Sequence, residues 1–176
     1  MQKTTIKSLG IKLCFIAAST WLLFSCSEED EVTPVTNLSL EATATASSTY
    51  YGYSADNIND GDTNTEVGPE SSWTNSNSST DSGKLPQWVM LDFGTEKSFS
   101  RIELYTSEDY LIQDYQLQYF DGVAWQTIED VTDNTFLIRS HSFDKIISSK
   151  VRLYGTKGPD NQSVYVRVNE LEVWTE

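Results

Sequence analysis

The sequence predicts an all-β protein, an antiparallel β-sandwich, and three observations carry that prediction. From Leu38 onward, apolar residues recur at every second position in short runs, the period that sets alternate side chains on one face of a strand. Gly, Asp, Asn and Pro divide the runs at intervals of roughly ten residues, the spacing of turns between short strands. No stretch holds a helical period. Many short alternating runs bury their apolar faces by stacking antiparallel sheets.

The first 25 residues stand apart from this pattern. Lys3, Lys7 and Lys12 precede an apolar run from Leu13 to Phe24, which ends in Leu23-Phe24-Ser25-Cys26. A membrane-crossing helix needs about 20 apolar residues, whereas this run is about a dozen, the length of a signal-peptide core. Residues 1–25 resemble a bacterial lipoprotein signal, which implies cleavage before Cys26 and lipidation of its thiol. One acyl chain holds a protein only marginally, at about 0.8 kcal/mol per buried methylene. Lipoproteins of this kind carry two or three chains, so the chain is expected to stay on a membrane. Residues 26–37 contain Ser27, Glu28, Glu29, Asp30 and Glu31, then Thr33, Pro34 and Thr36. Like charges repel and pack no core, so this segment reads as a solvated tether. The acidic block also resembles the surface-export signal of lipoproteins in Gram-negative bacteria that harvest polysaccharides. An outer-membrane lipoprotein facing the cell exterior is the expectation.

The chain of 176 residues carries 12 basic and 26 acidic side chains, a net charge of −14. Loss of residues 1–25, with three lysines and no acid, takes this to −17. Nucleic acid is disfavoured, because its binding rests on Lys and Arg neutralising phosphates. Anionic headgroups are disfavoured likewise, leaving the lipid anchor as the only membrane contact. Cys14 leaves with the signal and Cys26 takes the lipid, so no intrachain disulfide is expected. The exported domain must then rely on its core or on a metal. The remaining residues, 38–176, suffice for one core.

Within that domain, Leu85 to Gly94 places Val89, Leu91 and Phe93 on one face; Ile102 and Leu104 continue the pattern, then Tyr115, Leu117 and Tyr119. Asp121-Gly122 separates that strand from Trp125, Thr127 and Glu129, a hairpin signal. Val151, Leu153 and Gly155 form another face. In the last strand Val166, Val168, Glu170 and Glu172 oppose Leu171 and Val173. Residues 54–84, rich in Asn, Asp, Ser, Thr and Gly, read as loop with little to bury. Trp88 and Trp125 read as framework. His141, the only histidine, reads as a partly exposed strand residue beside Arg139 and Phe143. Arg152 and Arg167 read as framework ion-pair partners or as clamps for a carboxylated sugar.

Several of these pieces occur in a recognisable order: Ala55-Asp56-Asn57-Ile58-Asn59-Asp60-Gly61-Asp62-Thr63-Asn64-Thr65, Pro86-Gln87-Trp88 through Asp92-Phe93-Gly94, Asp121-Gly122 with Trp125, Val151-Arg152-Leu153-Tyr154, and Asn169-Glu170-Leu171-Glu172-Val173. Together they resemble the discoidin, or coagulation factor 5/8 type C, domain, and within it the bacterial family 32 carbohydrate-binding modules. The resemblance covers about residues 40 to 176 and implies a jelly-roll sandwich of the galactose-binding-domain-like kind. The family places a tryptophan about two residues after the threonine matching Thr65; here that position is Val67, and the next tryptophan is Trp73.

The resemblance implies a structural calcium ion. Side chains of Asp60, Thr65 and Glu170 would bind it, with backbone oxygens of Asn57, Asp62, Thr65 and Asn169. Composition alone favours a solvated acidic turn, although the oxygens and the glycine of Asp60-Gly61-Asp62 suit a hard cation; sodium is the alternative ion. A sugar site needs an aromatic face and a few planar polar groups. Three loops supply candidates: Tyr50, Tyr51 and Tyr53; Glu108, Asp109 and Tyr110; and Asp160, Asn161, Gln162 and Tyr165, with Trp73 as a further platform. No zinc signature, P-loop or nucleophile elbow is present, and no second domain forms a cleft, so no catalysis is expected. The expected function is glycan binding at the cell surface by a monomer, one element of a surface glycan-uptake complex. The alternatives are a protein partner held by the same loops, and a scaffold without a ligand of its own.

Overall fold

Alternating patterns become strands wherever an unpaired neighbour lies alongside, and here two long ones organise the rest. The computed structural model describes residues 34–76 and 84–175. Residues 1–25, Cys26 and the acidic block of the tether lie outside the described residues. The strands are β1 (Thr43–Ala46), β2 (Trp73–Thr74), β3 (Gln87–Tyr105), β4 (Asp114–Phe120), β5 (Trp125–Val131), β6 (Ile138–Lys157), β7 (Arg167–Val168) and β8 (Glu170–Trp174). Among the described residues the helical pieces are short 3-10 turns at Ser39–Glu41, Ala55–Ile58 and Asp160–Gln162. The fold is the antiparallel β-sandwich expected from the sequence.

The larger sheet runs β1-β3-β6-β4-β5, with β8 also on β3; β2 and β7 form a separate pair. β3 and β6 make one long ribbon, in register from Gln87↔Gly155 to Asp92↔Lys150, from Lys97↔Ser148 to Phe99↔Ile146 and, after a second shift, from Arg101↔Ser142 to Tyr105↔Ile138. The first register shift falls between Asp92 and Lys97. There Gly94 takes φ +72, and Asp92 Oδ1 accepts the Gly94 N–H at 2.9 Å. Extra residues at such a bulge bend a strand. β1 and β4 build on the first half of the ribbon and β8 on the second.

The faces read from period two are the faces that pack. Val89, Leu91, Ile102, Leu104, Tyr115, Leu117, Val151, Leu153, Leu171 and Val173 are fully buried in one cluster with Phe99. Each such side chain contributes about 1.5–3 kcal/mol relative to exposure. Phe93 and Tyr119 are half-buried at its edge. The β4–β5 hairpin turns where expected: Gly122 has φ +95, and Asp121 Oδ1 accepts the N–H groups of Val123 and Ala124, each at 2.8 Å.

Three readings need correction. The last strand is split at Asn169, whose N–H donates to the Tyr105 carbonyl at 2.9 Å. β7 joins β2 while β8 joins β3, so both faces are covered and even Glu170 is buried. Second, the polar region before residue 84 is not all loop: Ile58 and Trp73 lie fully within the core. Third, His141 is buried rather than partly exposed. Its Nδ1 lies 2.7 Å from Glu129 Oε2 and its Nε2 lies 3.1 Å from the Tyr115 hydroxyl. A carboxylate only accepts, so Nδ1–H donates to Glu129 and the Tyr115 O–H donates to Nε2. Burial holds this imidazole below the ordinary histidine pKa, with Glu129 opposing the shift.

Candidate functional site

Three loops and one strand pair build a tyrosine-lined pocket. In the first loop the Tyr53 N–H donates to the Tyr50 carbonyl at 3.0 Å, closing a turn whose third residue, Gly52, takes φ +88. Glycine adopts that conformation without a steric cost. The turn leaves Tyr51 at its tip, 97% exposed, and sets the Tyr50 ring 6.0 Å from Tyr53 and 5.9 Å from Tyr165. In the second loop, Asp109 at φ +64 allows the Tyr110 N–H to reach the Ser107 carbonyl at 3.0 Å. Aspartate tolerates the left-handed region better than most residues. The third loop folds back over Gly158, where an added Cβ would meet the Tyr165 carbonyl oxygen at 2.0 Å.

Beneath these rings, β2 and β7 place Thr74 opposite Arg167. The guanidinium carbon lies 4.7 Å from the Tyr110 ring centre and 5.2 Å from that of Tyr165. Arg167 Nη2 donates to Gln162 Oε1. Arg167 Nε and Nη1 and Thr74 Oγ1 are buried with no hydrogen-bond partner. The cavity measures about 250 Å³ and is lined by Tyr50, Tyr53, Thr74, Gln162, Tyr165 and Arg167. Arg167 was expected to be a framework ion-pair residue or a sugar clamp; among the described residues it has no carboxylate partner and stacks on tyrosines instead. Arg152 likewise has no carboxylate partner among the described residues: its Nε donates to Gln118 Oε1 at 2.7 Å, and it stacks 4.1 Å over Trp125.

A wider cavity of about 570 Å³ lies against the same loops, with Glu108, Asp109, Asp160 and Asn161 on its lining beside Leu111 and Leu137. The candidates therefore divide. Tyr53 and Tyr165 line the smaller cavity and Tyr110 stacks on its arginine, while Glu108 and Asn161 face the larger. Tyr51 lines neither. Trp73 is not a binding platform: it is fully buried, and its indole N–H donates to the Ser48 carbonyl at 3.1 Å. Its neighbours come from β7, a strand remote in sequence, which pairs Val168 with it.

The acidic turn meets the last strand. The Gly61 N–H, with φ +84, donates to Glu170 Oε1 at 3.2 Å. Glu170 Oε2 is buried with no hydrogen-bond partner. Burial pushes the Glu170 carboxyl up to about 8, and the charge of Asp60 adds to the shift while the Gly61 bond opposes it. Asn169 donates to the carbonyls of Asn64 at 2.7 Å and Glu66 at 2.9 Å, holding the loop that carries Thr65. The Thr65 carbonyl accepts from the Glu108 N–H at 2.8 Å. Asp60 Oδ1 accepts the Asp62 N–H at 2.8 Å, and Asp62 Oδ1 the Asn64 N–H at 3.0 Å. The Asn57 amide is turned to the Pro69 and Ser72 carbonyls, so its side chain is framework. Among the described residues no three His, Cys, Asp or Glu side chains converge on a metal position. The donors available are carboxylate and carbonyl oxygens, the set that suits a hard cation, and the orphaned Glu170 oxygen fits one.

Comparison with known proteins places this architecture. The F5/8 type C domain model matches residues 43–171. No curated protein matches the chain. Among solved structures, a variant of chitosan-binding module 1 from a chitosanase/glucanase of Paenibacillus sp. IK-5 is 26% identical, with a TM-score of 0.64 over 78% of this chain and 97% of that one. The family 32 carbohydrate-binding module of C. perfringens NanJ, solved with galactose, is 22% identical, with a TM-score of 0.65 over 80% and 99%. The lectin domain of lectinolysin, solved with Lewis B antigen, is 18% identical, with a TM-score of 0.65 over 80% and 97%. These are saccharide-binding modules rather than catalytic domains, although the first derives from an enzyme. With its family model spanning most of the sandwich, the chain belongs to the F5/8 type C, or discoidin, domain family.

Proposed function

We propose that this chain is a non-catalytic glycan-binding lipoprotein, anchored through Cys26 in an outer membrane and facing the cell exterior. The observation that carries the reading is the tyrosine pocket. Tyr50, Tyr53 and Tyr165 offer apolar ring faces, and Gln162, Thr74 and Arg167 offer polar groups between them. Apolar walls with a few placed polar groups are what a pyranose requires. The related modules solved with saccharides support the same reading. The wider cavity beside Glu108 and Asn161 extends the surface on which a longer glycan would lie. Weak single-site binding would be raised by many copies on one membrane.

A calcium ion, or sodium in its place, would be held by Asp60, Thr65 and Glu170 with backbone oxygens of Asn57, Asp62 and Asn169. It would supply positive charge to the orphaned Glu170 oxygen and staple the early loop to β8. The test of function is a glycan array probed with the purified chain made multivalent on beads, with calcium present. Binding to a coherent set of glycans, competed by the free sugar they share, is expected. Silence across the array from a folded protein would overturn the reading in favour of a protein partner.

A further inference from the structure

The pocket's polar floor goes beyond what a neutral sugar asks for. Arg167 is only 7% exposed and Thr74 only 2%. They face each other across β2 and β7, and three of their polar atoms have no partner. Buried polar groups are nearly always satisfied, and a buried charge without a counter-charge is among the least favourable arrangements in a protein. In a chain with 26 acidic side chains, carboxylates to pair with Arg167 were abundant. Among the described residues none lines this pocket, and Glu108, Asp109 and Asp160, close in sequence to its loops, line the neighbouring cavity instead.

From this geometry we infer that Arg167 and Thr74 receive the carboxylate of an acidic sugar, a uronic or sialic residue, packed among Tyr50, Tyr53 and Tyr165. The inference rests on the glycan reading above and specifies its ligand class. A guanidinium matches a carboxylate with two parallel donors, and a threonine hydroxyl adds a third. Gln162 Oε1 already accepts from Nη2, so it stands where a carboxylate oxygen would stand. Gln162 sits on the short 3-10 turn Asp160–Gln162, and a ligand carboxylate would displace this neutral acceptor with a charged one. The rings of Tyr110 and Tyr165 hold the guanidinium in place by stacking, so little side-chain freedom remains to be lost on binding. The excess negative charge of the chain acts over longer range and is screened by salt, while a buried contact is screened much less.

The experiment compares an acidic glycan with the same glycan after reduction of its carboxyl groups to alcohols, and with a sulfated neutral glycan, all titrated against the purified chain. The expected result is binding of the acidic form at least tenfold tighter than the reduced form. R167K and R167Q, with melting temperatures checked, should shrink that ratio because the acidic form loses more affinity than the reduced form. Equal binding of acidic and reduced forms would overturn the inference and leave the glycan reading standing. Binding of the sulfated glycan alone would overturn the carboxylate assignment. No binding to any glycan by the folded chain would overturn the glycan reading itself.

Discussion

Glu170 Oε1 accepts the backbone N–H of Gly61 across 109 positions of sequence, and this bond closes the early acidic turn onto the last strand. The other oxygen of the same carboxylate has no partner. The neighbouring Asn169 adds two more links between the same parts of the chain, through the carbonyls of Asn64 and Glu66.

If calcium fills that position, the melting temperature will depend on it. An ion binding only the folded state stabilises by about 2.7 kcal/mol at a hundred times its dissociation constant, or on the order of 8 °C at about 3 °C per kcal/mol for a domain of this size. Excess EDTA should lower the melting temperature by about that amount. Asp60→Ala should lower it as well and abolish the response to calcium. A melting curve indifferent to EDTA would remove the metal from the account.

Trp73→Ala and Tyr51→Ala should behave oppositely. Truncating a buried tryptophan costs about 3–5 kcal/mol, so Trp73→Ala should melt far lower or fail to accumulate. Tyr51 touches water on nearly every side, and its replacement should leave the melting temperature within a degree or two. Thermal melts of the two variants check this, and a stable Trp73→Ala protein would contradict the packing.

Tyr53→Ala and Tyr165→Ala should weaken glycan binding about tenfold or more, roughly 1.4 kcal/mol each, with far smaller losses of stability than Trp73→Ala. Both rings are half-buried at the pocket. Isothermal titration against an array-defined glycan measures the effect, and unchanged affinity in both variants would move the site to the wider cavity.

His141 sets a pH dependence. Its pKa lies below the ordinary 6.5 because burial penalises the charged ring. Between the folded and unfolded pKa values the unfolded chain binds the extra proton, so stability rises with pH there. The full contribution is present above about 6.5 and falls as pH drops below it. Urea melts of the wild type and His141→Gln at pH 7.5 and 5.5 should show a gap that narrows at the lower pH. As the only histidine, it also gives one imidazole resonance to titrate by NMR; a midpoint at or above 6.5 would refute the assignment.

Much of this was legible in the residues, and the rest had a common reason for being hidden. Alternation is a local property, so the buried faces of Val89-Leu91, Ile102-Leu104 and Tyr115-Leu117 could be read before any pairing was known. Turn chemistry is local too, and Asp121-Gly122 turned as its residues require. The order of Asp60, Trp88, Trp125, Arg152 and Glu170 was enough to identify the family. Tertiary structure alone decided the fates of Trp73, His141, Arg152 and Arg167. Trp73 lies in a polar stretch whose partner strand comes from the far end of the chain. Arg167 has abundant acids around it in sequence, yet its strand places it under tyrosines from two other loops and opposite Thr74. Burial of a single side chain depends on which remote segments cross it, and that information is carried by the packing of the whole sandwich rather than by any window of its sequence.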